Sequence, residues 1–181
     1  MIRVKDKFIF LCTPSTGSRS VARVLLDQCG GEQLSLSHHA TREEIQSVES
    51  AEPFYTFLRD PYDFVLSRYW HRTRGQKNRA WPFNFFLDDF FLNLNFDRFG
   101  MTIYPYKEYA DQFFLYEDGL PAFFSAVGFP DVNIPHIGLH KPIQDHPRYR
   151  KDRMPRDQIA RISSVLWEDI ELYEQVAAQK E

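Results

Sequence analysis

The sequence predicts an α/β domain with a central parallel sheet and helices on both sides. Three observations predict it. A short apolar run at 7–13 (KFIFLCT) leads through the small-residue turn PSTGS into an amphipathic helix. The same order recurs at 54–72, where FYTFL is followed by Arg59-Asp60-Pro61 and a helical stretch. The chain has 181 residues, 43% hydrophobic and 26% charged. That length makes a single domain over 1–181, able to bury a core without disulfide or metal staples and too apolar to be disordered.

The run 7–13 reads as a buried strand. From Ser18 onward Val21, Val24, Leu25 and Gln28 fall at i, i+3, i+4 and i+7, and Gly30-Gly31 stops the helix. Thr41 and Glu44 form a T-x-x-E capping box that opens a short helix. Phe54 to Leu58 is the second strand, and Tyr62 to Arg72 a helix with Pro61 at its first turn. The Phe-rich stretch 81–99 gives no clear period. It reads first as core, with a lid or a homodimer face as alternatives. Leu120 to Val127 is a short helix with Pro121 early and Gly128 as its stop. The last long element runs from Pro155 to Ala178, with Ile159, Ile162, Leu166, Ile170 and Tyr173 as its apolar stripe.

A formal net charge of -3 excludes a global basic field, so nucleic acid is not an expected partner. Charge is nonetheless uneven. Arg68, Arg72, Arg74, Lys77 and Arg79 follow one another without an acid. Lys141, Arg148, Arg150, Lys151, Arg153 and Arg156 face only Asp145 and Asp152. Such local clusters suit a compact anion better than a polymer, with a solvated surface face as the equally common alternative. Cys12 and Cys29 cannot make a disulfide framework, no His, Cys, Asp or Glu cluster has metal spacing, and no run of 18 apolar residues or leader-like segment occurs. A cytoplasmic protein with reduced thiols, no metal and no membrane span is expected.

The first loop has the chemistry of an anion cradle. A tight turn between a strand and a helix N-terminus gathers backbone N–H groups, and the helix dipole adds about half a positive charge. Ser15, Thr16, Gly17, Ser18, Arg19 and Ser20 supply it. Gly17 lets the backbone approach closely, the serines offer hydroxyls, and Arg19 offers a charged fork. Neither G-x-x-x-x-G-K-[ST] nor G-x-G-x-x-G is present. In the second loop Arg59 ends a strand and Ser67 follows eight residues on, inside the next helix. Neighbouring parallel strands open on the same side, so one molecule with two anionic groups would bridge both loops.

These two loops together resemble the sulfotransferases that use 3′-phosphoadenosine-5′-phosphosulfate (PAPS), in particular the small bacterial and carbohydrate-type branch. Thr13-Pro14-Ser15-Thr16-Gly17-Ser18 resembles the family's 5′-phosphosulfate loop, P-K-[ST]-G-[ST]. Arg59-Asp60-Pro61 through Ser67, continued by Arg68-Tyr69, resembles its 3′-phosphate motif. His39-Ala40-Thr41 with Glu44-Ile45, then His140-Lys141-Pro142 and 167–173 (WEDIELY), extend the likeness over most of the chain, least across 73–105. The resemblance implies a P-loop-like sulfotransferase fold. It implies PAPS as co-substrate, 3′-phosphoadenosine-5′-phosphate (PAP) as product, and a carbohydrate or small-metabolite acceptor. Residues 15–20 would hold the phosphosulfate and Arg59 with Ser67 the 3′-phosphate, with Lys141 and Arg150 as further contacts. Ser15 stands where the family carries Lys, the group taken to neutralise the leaving phosphate. Arg19, Lys141 or Arg23 would have to replace it, or the chain binds nucleotide with little turnover.

Sulfate transfer to a hydroxyl needs a base. His38 and His39 precede the Thr41-capped helix, and His39 matches the H-A-T segment. Ordinary loop histidines are the alternative, and His71 and His140 are in reserve. A kinase-like phosphotransferase is a rival class that the missing Walker lysine disfavours.

Overall fold

The computed structural model describes residues 1–73, 82–92, 104–135 and 151–180. Five strands form one sheet: β1 (Ile2–Val4), β2 (Phe8–Leu11), β3 (Glu32–Gln33), β4 (Phe54–Leu58) and β5 (Gln112–Leu115), in the order β3-β1-β2-β4-β5. The architecture is α/β, but the sheet is mixed where a parallel one was expected. β2, β4 and β5 run parallel, whereas β1 pairs antiparallel with both β2 and β3. The cause is local. Only Lys5, Asp6 and Lys7 separate β1 from β2, a connection that can close a hairpin but not a crossover. Asp6 takes a positive φ of 61°, and Lys7 N–H donates to the Val4 carbonyl at 3.1 Å.

Around the sheet lie α1 (Ser18–Gln28), α2 (Arg42–Gln46), α3 (Pro61–Thr73), α4 (Phe83–Leu92), α5 (Leu120–Ala126), α6 (Arg156–Val165) and α7 (Trp167–Ala178). The expected helix over 155–178 is two helices, divided at Leu166. Alternation along β2 sends Phe8 and Phe10 to one face, where they meet Phe57, Phe123 and the apolar stripe of α1. Ile9 and Leu11 point the other way, toward Ile45 of α2 and Tyr106. Leu58 and Leu115 pack on Leu172 of α7. Within the Phe-rich stretch, one face of α4 is core: Phe83, Phe86, Leu87 and Phe90 pack on Phe64, Tyr69 and Ile162, with Tyr69 edge-on to both Phe83 and Phe86, while Phe85 and Leu92 are exposed. Residues 93–99 lie outside the described residues. Among the described residues no helix is long and apolar enough to cross a membrane, and no three His, Cys, Asp or Glu side chains could hold a metal ion.

Topology marks one place in this sheet for a candidate site. The chain leaving β2 passes through α1 to β3 at one edge of the sheet, and the chain leaving β4 reaches β5 at the other. The two connections part between the carboxyl ends of β2 and β4, the place where ligands bind in open α/β sheets.

Candidate functional site

Three loops leave parallel neighbours at the carboxyl ends of the strands: 12–17 after β2, Arg59-Asp60 after β4, and Tyr116-Glu117 after β5. The first loop is braced from within. Thr16 Oγ1 donates to the Thr13 carbonyl at 2.9 Å, and Thr13 Oγ1 donates across to the Phe57 carbonyl at 3.1 Å. Both threonines are fully buried, so the hydroxyl of Thr16 shapes the loop. Ser15 and Gly17 take left-handed φ values of 57° and 68°. Gly17 occupies the N-cap of α1 with no side-chain cap, so the N–H groups of Ser18 and Arg19 keep their donor capacity, while that of Ser20 donates to the Gly17 carbonyl at 2.9 Å.

Arg59 joins the second loop to the first. Its Nη1 donates to the Ser15 carbonyl at 2.7 Å, and its guanidinium lies over the Tyr116 ring, 5.0 Å from the centroid. Its Nε is buried without a hydrogen-bond partner, an arrangement that costs about 1–3 kcal/mol until a partner arrives. Asp60 is committed to structure. Its Oδ1 accepts from the N–H groups of Tyr62 and Asp63 at the start of α3, its N–H donates to Glu117, and Lys151 Nζ donates to its Oδ2 at 2.6 Å. That salt bridge and hydrogen bond outweigh the burial of Lys151 and raise its pKa.

The histidines stand against the same loop. His39 Nδ1–H donates to the Cys12 carbonyl at 2.6 Å, which fixes the tautomer and leaves Nε2 with a free lone pair. His38 Nε2 lies 3.0 Å from Ser18 Oγ at the first turn of α1. Burial pushes His38 down to about 4, helped by the positive charges of His39, the amino terminus and Arg19. Burial also lowers His39, with the amino terminus, Arg68 and Arg19 adding to it against the Cys12 hydrogen bond. Both rings are neutral at pH 7, and Arg19, Arg68 and the amino terminus add positive charge beside them. Positive charge next to a helix N-terminus attracts an anion.

Three bonds tie parts of the expected set together: Arg59 to the Ser15 carbonyl, His38 to Ser18, and His39 to the Cys12 carbonyl. Gly17 lies between them at the N-cap of α1, Arg19 is exposed, and Thr16 and Ser20 are buried. Ser67 lies in α3, half-buried, with no hydrogen bond to Arg59. Arg23 is diverted: it pairs with Asp27 one turn along the exposed side of α1. His71 is exposed near the end of α3. Lys141, Arg150 and His140 lie outside the described residues. Tyr116 was not expected. Its signal is the short apolar segment 112–115 just before it, a third parallel strand whose end places an aromatic ring beneath Arg59.

No protein-family model, curated protein or solved structure matches the chain.

Proposed function

We propose that the chain transfers a sulfuryl group from PAPS to an acceptor hydroxyl on a carbohydrate or small metabolite. One observation carries this above the rest: the Arg59 guanidinium hydrogen-bonds the Ser15 carbonyl, so the two candidate anion-binding loops lie side by side. The backbone N–H groups at the start of α1, with Ser18 and Arg19, would hold the 5′-phosphosulfate. Arg59, with N–H groups beyond the one given to Ser15, and Ser67 would hold the 3′-phosphate. His39 serves as base, because its Nδ1–H is committed and its Nε2 is unprotonated; His38 is the alternative. The acceptor oxygen forms a bond to sulfur as the bond from sulfur to the 5′-phosphate oxygen breaks. The acceptor proton passes to the imidazole and PAP leaves. Positioning and charge stabilisation supply the rate, as in phosphoryl transfer.

Residue 15 favours a second reading. It is Ser, and Arg23 is turned away, so of the three cations that could replace the family's lysine only Arg19 is left for the leaving phosphate among the described residues. The chain would then bind PAP and transfer slowly. Thermal unfolding with PAP at 100 times its dissociation constant tests what the two readings share. The wild type should gain about 2.7 kcal/mol, roughly 5–10 °C for a domain of this size, and Arg59→Ala most of that gain less. An equal gain in both proteins removes the site assignment. Labelled-sulfate transfer then separates the readings: turnover that falls about 10²–10⁴-fold in His39→Asn supports catalysis, and no turnover over a broad acceptor panel supports binding alone.

A further inference from the structure

The hydroxyl of Ser18 has one hydrogen, and two groups want it. Ser18 is buried at the first turn of α1, with His38 Nε2 at 3.0 Å from its Oγ. If Ser18 donates to Nε2, its lone pairs face outward and repel an anion. If His38 carries the hydrogen on Nε2 and donates, the Ser18 hydrogen is released to point at a bound oxygen. We propose that His38 is the positioning residue for Ser18: its Nε2–H donates to Ser18 Oγ and turns the serine hydroxyl outward onto the oxyanion held at the start of α1.

This rests on the proposed function only in placing an anion at that turn. A consequence follows from the chemistry of the ring. An imidazolium can only donate, so protonated His38 enforces the productive orientation, and a bound anion in turn favours protonation of His38. The charged groups that face the ring are His39 from the same loop, Arg19 from α1 and the amino terminus beside β1; Arg68 of α3 acts on His39. All repel an imidazolium, so an anion at the first turn of α1 is the offsetting charge. His39 lacks this coupling, because its Nδ1–H is bound to the Cys12 carbonyl. The pair thus divides its work, one ring orienting a donor and the other accepting a proton.

The test is NMR titration of both imidazoles, without ligand and with saturating inorganic sulfate, whose own charge does not change over the range used. A second arm uses PAP. Sulfate should raise the His38 titration by roughly one pH unit or more, and by more than it raises His39. Ser18→Ala should reduce the His38 response to the size of the His39 response, and Ser18→Thr, which keeps the hydroxyl, should restore it. Ser18→Ala should also weaken PAP by about 10- to 100-fold, the loss expected for one hydrogen bond to a charged group. A His38 response that survives Ser18→Ala unchanged overturns the relay while leaving the proposed function intact. If neither sulfate nor PAP moves either histidine, both fall.

Discussion

Gly17→Ala separates the strain of the first loop from its role at the site. Gly17 sits at φ 68°, where an L side chain costs about 1–2 kcal/mol. Part of that returns because alanine restricts the unfolded chain by about 0.4–1 kcal/mol. The net backbone loss is about 1 kcal/mol, roughly 2–4 °C in Tm for a chain of this length. The new Cβ would also come within 3.1 Å of Tyr116 Cε2, with Leu120 carbons at 3.6 Å, so Tyr116 must shift. Arg59 rests on that ring. Weakening a cation–π contact worth about 0.5–1 kcal/mol corresponds to a two- to fivefold loss of PAP affinity. Gly128→Ala is the matched control. It too has a positive φ, 85°, but the nearest atom to its Cβ is Lys7 Nζ at 3.4 Å, the free end of a flexible side chain. Urea unfolding and calorimetric titration with PAP are the assays. Both variants should lose similar stability, and only Gly17→Ala should lose affinity. Equal PAP affinity in the two variants would refute the link from Gly17 through Tyr116 to Arg59.

The remaining predictions concern the histidines and the core. The unfolded chain protonates His38 near 6.5, whereas the folded chain resists until about 4. Between those values the unfolded state binds more protons, so stability falls as pH drops through this window, and His39 adds in the same sense. The urea midpoint should therefore decline from pH 7.5 to pH 5 in the wild type and decline less in His38→Gln; identical slopes would contradict the buried neutral ring. Phe123 is buried against Phe8, Phe10, Phe57 and Phe114, so Phe123→Ala should destabilise by about 3–5 kcal/mol in chemical denaturation. A loss below about 1 kcal/mol would mean these rings do not form the core described.

How much of this was legible depended on the range of the interaction responsible. The capping box at Thr41 and Glu44 was readable because it is closed by hydrogen bonds between residues three apart, and both bonds form. The strand at Phe54–Leu58 was readable because it is apolar on both faces and bounded by Pro53 and Arg59. β1 was not, since three residues with a central arginine become a strand only by pairing with β2 on one side and β3 on the other. The buried set of α4, at 83, 86, 87 and 90, has the helical spacing, but Phe85, Phe91 and Leu92 are apolar too and hide the period. The apolar stripe at 159, 162, 166, 170 and 173 runs unbroken through the division at Leu166, so periodicity could not mark it. At the site, the spacing from Arg59 to Ser67 pointed to the second loop. The bond from Arg59 to Ser15 spans 44 residues, and Tyr116 follows a strand that pairs only in the folded sheet; neither leaves a local trace.

A crystal structure with PAP bound bears most directly on the shared site. The 5′-phosphate should lie against the backbone of 16–19 and the 3′-phosphate against the Arg59 guanidinium, with His39 Nε2 open toward the acceptor side. Nucleotide bound away from the carboxyl ends of β2 and β4, or a 3′-phosphate out of reach of Arg59, would contradict the account.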